Sequence, residues 1–119
     1  MADLKDTLAE RGARYGMFDE HAGISQALQD TMRAAPGFAR LAADQKQALA
    51  TIADKIARVL NGDPDYVDNW HDIAGYAALV EQRLTGTGIY ADRDLRAQRT
   101  KIANALTAAG LTNLAKSSD

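Results

Sequence analysis

Asp68 and Asp72 stand four residues apart, so on a helix their carboxylates project from one face, one turn apart. Two oxygens so placed can reach one Mg²⁺, and Asp65 can join them from the preceding turn. From Asp63 to Glu81 every charged residue is acidic, whereas the segment just before offers Lys55 and Arg58, three apart and hence also on one face. Either the two groups form structural ion pairs, or they flank a phosphate and its metal, with Lys55 and Arg58 neutralising phosphate charge. A plainer origin for the acids exists as well, because a helix N-terminus favours carboxylates in its first turn.

The neighbouring residues extend the same two readings. His71 lies between the two aspartates and could add a ligand, although a histidine beside a tryptophan serves packing or capping equally well. Trp70 falls on an apolar stripe and is expected in the core, which leaves Tyr76, and Tyr15 further upstream, as the rings that could contact a base or sugar. Gly75 permits close approach of a helix or a ligand. Gly86-Thr87-Gly88 lacks both the Lys-Ser/Thr ending and the preceding strand of a phosphate loop, and no nucleophile elbow, HExxH or EF-hand pattern occurs. Arg93, Arg96 and Arg99 could meet phosphates or simply solvate a helix.

These residues must be positioned by helices. An amphipathic start from Asp3 to Arg11 leads to Gly12, Tyr15 and Gly16, where a turn is expected. A helix from about Asp19 to Ala34 carries Ile24, Ala27, Leu28, Thr31 and Met32, and Pro36 follows as a joint. From Asp44 to Leu60, Leu49, Ile52, Ala53, Ile56, Val59 and Leu60 form the clearest core-facing stripe, with Asp44 as cap and Asn61-Gly62 as the left-handed end. Asp63-Pro64-Asp65 begins the next helix, with Trp70, Ile73, Ala77, Val80 and Leu84 on one side as far as Thr85, and so short a joint predicts an antiparallel pair. A last helix, about Ala91 to Ala109, carries Leu95, Ile102, Leu106 and Ala109, and the tail 111–119 around Leu111 and Leu114 is expected to fray. No segment alternates with a period of two for long enough to form a strand. The reading is an all-α, compact bundle of four to five helices in a single domain spanning 1–119.

Composition sets the outer limits. Of 119 residues, 46% are hydrophobic and 25% charged, which is the balance of a folded domain rather than a disordered chain. Fourteen Lys and Arg against sixteen Asp and Glu give a net charge of −2, so no bulk positive field favours nucleic acid. The absence of Cys removes disulfides, thiolate metal sites and cysteine nucleophiles. Met1-Ala2-Asp3-Leu4-Lys5-Asp6 is charged where a signal peptide needs an apolar run, and no stretch has the length of a membrane span, so a cytoplasmic location and no membrane partner are expected. Aromatic content of 6% implies a thin core, and burial of the Leu49 to Leu60 stripe is expected to involve a second subunit.

Three segments carry a resemblance: Arg11-Gly12 with Tyr15-Gly16, Lys55 to Gly62, and Asp68-Asn69-Trp70-His71-Asp72-Ile73-Ala74-Gly75-Tyr76-Ala77. Over roughly residues 10–84 the chain resembles a family of small, uncharacterised proteins of tailed phages and prophages, with 91–109 as an additional helix. That arrangement is similar to the all-α MazG-like nucleotide pyrophosphatases, in which helical carboxylates hold Mg²⁺ against a nucleoside triphosphate. The resemblance implies a nucleotide ligand, Mg²⁺ at Asp68 and Asp72, phosphate contacts from Lys55 and Arg58, and base or sugar contacts from Tyr76 or Tyr15. MazG-like enzymes carry Glu-x-x-Glu on the first of two helices, where this chain has Lys55 and Arg58, so nucleotide binding is better supported than hydrolysis. The alternative is a non-enzymatic anti-defence protein, either a sponge for a signalling nucleotide or an anti-CRISPR-like inhibitor that presents its acidic run to a host protein complex.

Overall fold

The computed structural model describes residues 3–110, apart from the side chains of residues 94–96. The tail 111–119, with Leu111 and Leu114, lies outside the described residues, as do the side chains of Leu95 and Arg96. Among the described residues five α-helices run α1 Leu4–Tyr15, α2 Phe18–Ala34, α3 Ala43–Asn61, α4 Val67–Thr85 and α5 Ala91–Ala108, with short 3-10 turns at Pro36–Arg40 and Gly88–Tyr90. The protein is all-helical, with no strand among the described residues. No described helix is long and apolar enough to cross a membrane. The chain divides into two units, Met1–Val80 and Glu81–Asp119.

In the first unit, α2 and α3 form the main packed pair. They run antiparallel: His21 at the start of α2 meets Asp54 near the end of α3, while Met32 and Arg33 share a cavity with Ala43 and Lys46 at the other end. The seam is narrow because small residues line it. Ala53 and Ala57 are buried on α3 and His21 and Ser25 on α2, whereas Ala48, also buried, borders the cleft with Ala77 and Val80. Of the stripe expected to face the core, only Ala53 is buried, whereas Leu49, Ile56 and Leu60 remain exposed. α4 runs back along α3 in the expected antiparallel sense, since Lys55 pairs with Asp72 while Leu49 and Ile52 border the same cleft as Ala77 and Val80. Trp70 departs from its expected core position. It is 54% exposed, and its indole N–H instead donates to the Pro64 carbonyl at 2.8 Å, tying the first turn of α4 to the preceding joint.

Two glycines fix how α1 meets α3. Gly12, expected in a turn, lies inside α1, and the chain turns only at Gly16, whose φ of 76° is in the left-handed region. A Cβ at Gly16 would overlap the Asn61 carbonyl, and a Cβ at Gly62 would overlap the backbone of Arg14 and Tyr15. Gly62 is therefore required by close approach and not, as its position after α3 suggests, by a left-handed cap, because its φ is −137°. Hydrogen bonds fasten the crossing: Asn61 Nδ2 donates to the carbonyls of Tyr15 at 3.0 Å and Met17 at 3.1 Å, and the Asp63 amide donates to the Arg14 carbonyl at 2.7 Å. Asp44, expected to cap α3, sits within its first turn; the N-cap is Ala42, whose amide donates to the Gln45 side chain at 2.8 Å.

The second unit holds the last turn of α4, the Gly88–Tyr90 turn and α5. Gly86 and Gly88 both take positive φ, 64° and 57°, and a Cβ at Gly88 would overlap the Gln82 side chain. The two glycines thus let the chain leave α4 and start α5 within five residues.

Gly62→Ala is expected to lower stability by at least ~2 kcal/mol, because backbone cannot yield to the added methyl as a side chain can. Gly23→Ala is expected to raise stability by up to about 1 kcal/mol, since a Cβ there meets nothing within 4 Å and alanine is the better helix former. Urea melts of the two variants check both signs.

Candidate ligand-binding site

The crossing of α1 on α3 opens a cavity of about 320 Å³ between α1, the start of α2 and the end of α3. Its polar lining consists of Arg11, Tyr15, His21 and Arg58, and Leu8, Met17 and Phe18 form an apolar side. Tyr15 is the hub. The Arg58 guanidinium lies 4.5 Å from its ring centroid, Arg11 lies 5.8 Å away, and the Tyr66 ring meets it edge-on at 6.1 Å. Cations are drawn to the ring face by its quadrupole, so one phenol organises both arginines at the same cavity.

Behind the cavity, Asp54 holds two of these groups. Its Oδ1 lies 3.0 Å from His21 Nε2, and its Oδ2 lies 3.3 Å from Arg58 Nε. The second contact is an ion pair at too oblique an angle for a hydrogen bond, so the buried Nε–H of Arg58 has no hydrogen-bond acceptor among the described residues. His21 is 6% exposed, and a carboxylate against Nε2 selects the tautomer that carries its proton there. Arg11 has no ion pair among the described residues and is exposed. The cavity therefore gathers two guanidiniums against one carboxylate.

The predicted site residues separate into two groups. Arg58 and Tyr15 come together in this cavity. Lys55 does not join them: its Nζ pairs with Asp72 Oδ2 at 3.1 Å, clasping α3 to α4. Asp68, one turn away, accepts a hydrogen bond from the Tyr66 hydroxyl at 3.0 Å, and Arg14 donates to that same hydroxyl at 3.3 Å. Tyr76 is exposed on α4, outside the lining of the cavity, and His71, five residues earlier, is exposed too. Each aspartate thus has its own protein partner, and among the described residues no group of three or more His, Asp or Glu side chains could hold a metal. Mg²⁺ at Asp68 and Asp72 would share their carboxylates with the Tyr66 hydroxyl and the Lys55 ammonium. Asn69, one turn before Asp72, is 1% exposed with its Nδ2 unpartnered among the described residues, and nothing in the structure explains it.

Three residues of the cavity escape a search for chemical motifs. Arg11 sits in the Arg-Gly pair already singled out, but its proximity to Arg58 arises only when α1 crosses α3. His21 and Asp54 lie thirty-three positions apart, and no local spacing joins them. The available signal was a histidine on the same helical face as Ser25, where an apolar residue would ordinarily stand.

The hydrogen bond to Asp68 holds the Tyr66 phenol above its usual value of 10.0, with a smaller upward push from burial and an opposing pull from Arg14. Asp68→Ala is expected to bring that ionisation down, as followed by NMR titration of the Tyr66 ring; an unchanged ionisation would mean that the bond does not form in solution.

Residues 4–84 match the profile of DUF6378, a domain of unknown function. No curated protein and no solved structure matches the chain.

Proposed function

We propose that this chain, which belongs to the DUF6378 family, binds a nucleotide or another phosphate-bearing ligand in the cavity where Arg11 and Arg58 flank Tyr15. The observation that carries the reading is the pairing of two guanidiniums on one aromatic ring at the wall of a cavity with an apolar side. Guanidinium forks match phosphate oxygens, and the exposed Phe18 ring offers a flat apolar surface to a base. The resemblance to phage and prophage proteins and to MazG-like enzymes rests on sequence motifs alone, and it points to the same ligand class. Hydrolysis by the MazG route would require carboxylates gathered around the phosphate. Asp68 and Asp72 are each engaged elsewhere, so the proposal is binding, without a step through Mg²⁺.

A thermal-shift panel of nucleoside mono-, di- and triphosphates and cyclic nucleotides, with and without Mg²⁺, tests it, because a ligand of the folded state raises apparent stability. Stabilisation is expected to vanish in Arg58→Gln and Tyr15→Ala and to persist in Asp68→Asn plus Asp72→Asn. The reverse pattern would return the ligand to the acidic helix.

A second reading concerns α4. Ala74 to Leu79 are six consecutive exposed residues without a charge, on a helix of a protein whose buried apolar residues are alanines. An uncharged, exposed helix segment favours cover by another protein surface, either a second copy in a homo-oligomer or a host defence protein. Light scattering separates them: a dimer that Leu79→Glu converts to monomer supports self-association, and a monomer in both forms leaves the surface to a different protein.

A further inference from the structure

The charge of the cavity restricts what the phosphate can be. Arg58 enters the site with its charge already opposed by Asp54 Oδ2 at 3.3 Å, and Arg11 enters without an ion pair among the described residues. Two guanidiniums against one carboxylate leave a single guanidinium charge uncompensated. An anion brought out of water is tolerated to the extent that its charge is matched, and each unmatched charge adds a desolvation cost. A phosphomonoester at neutral pH carries close to two charges and a triphosphate more, whereas a phosphodiester carries one. The cavity volume, about 320 Å³, is at the small end of ligand sites and suits a single nucleotide unit. Phe18, 80% exposed beside the cavity and tilted against the His21 ring at 6.2 Å between centroids, supplies an aromatic face.

We propose that the cavity selects a monoanionic phosphodiester of mononucleotide size, that is a cyclic nucleoside monophosphate, with Arg11 and the two Nη groups of Arg58 on the phosphate and the base against Phe18. This deepens the ligand-binding reading above and rests on it. Asp54 is then the residue that sets specificity. It does so without touching the ligand, by cancelling the charge of Arg58 and by holding His21 in place.

Calorimetric titration of the full chain with 3′,5′-cyclic AMP, AMP and ATP at pH 8 in EDTA provides the test. Cyclic AMP is expected to bind about tenfold or more tightly than either of the others, a difference of the size one unmatched charge imposes. Asp54→Asn raises the site by one positive charge and is expected to shift the ratio of AMP to cyclic AMP affinity by about tenfold towards AMP. A merely structural role for Asp54 would weaken both ligands together and leave the ratio unchanged, which overturns the proposal. Arg11→Gln, an exposed position where folding is not at stake, is expected to weaken cyclic AMP by about tenfold without moving the melting temperature; an unchanged affinity would also overturn it. If AMP or ATP binds more tightly than cyclic AMP in the natural chain, only the phosphodiester assignment falls. If none of the three binds, the ligand-binding reading falls with it.

Discussion

The crossing of α1 over the end of α3 is the constraint on which the rest of the first unit depends. Backbone meets backbone there, which is possible only because Gly16 and Gly62 lack side chains. Asn61 then takes the two carbonyls that the turn between α1 and α2 leaves free. Without that contact, α1 would have no reason to stop at Tyr15, and the Tyr15 ring would not lie under Arg58. The pairing of two arginines, the T-shaped contact of Tyr15 with Tyr66 and the cavity itself are consequences of one tight approach. The Tyr-Gly and Asn-Gly pairs, forty-six positions apart in the chain, are two halves of a single joint.

That joint also shows where sequence reasoning reaches its limit. The helices themselves were legible. Their apolar spacing, the two prolines and the Gly86 to Gly88 break mark all five helices, with boundaries displaced by a few residues at most places. Local rules predicted a glycine at each helix end for a conformational reason, which holds at Gly16 but not at Gly62, where the reason is steric and comes from a segment far away. The same blindness affects the candidate site. Spacing along one helix reveals that Asp68 and Asp72 share a face, and it also suggests that Lys55 and Arg58 act together. Only the packing separates the last pair, sending Lys55 to Asp72 and Arg58 to Tyr15 and Asp54.

Packing explains a second departure. Helical periodicity locates the face of α3 with the most apolar residues, but burial requires a partner surface of matching width. The seam between α2 and α3 closes on alanines, because small side chains let two helices approach closely and leave larger neighbours at the rim. Leu49, Ile56 and Leu60 therefore stay exposed even though their spacing is that of a core stripe, and Trp70 finds a hydrogen bond to Pro64 in place of a pocket. A core made of small residues yields little transfer free energy, since the methyl of an alanine contributes far less than a leucine side chain. The hydrogen-bonded crossing and the ion pairs between helices thus carry a larger share of the architecture than they would in a chain whose leucines were buried.

Ion pairs that brace a fold and ion pairs that tune a site differ in what they leave over. The Lys55–Asp72 contact cancels completely: one cation meets one carboxylate across α3 and α4, and the result is a clasp. Asp54 is shared between a histidine and an arginine, and it sits beside a second arginine that it does not reach. Cancellation there is incomplete by one charge, and the surplus lies at the wall of a cavity with an aromatic floor and an apolar side. Two like charges around one ring repel, and that repulsion works against the cation–π attraction that holds each of them there. An entering anion would relieve such an arrangement, so under the ligand-binding proposal the unbalanced cluster suits an anion better than the acidic helix, whose two aspartates already have partners.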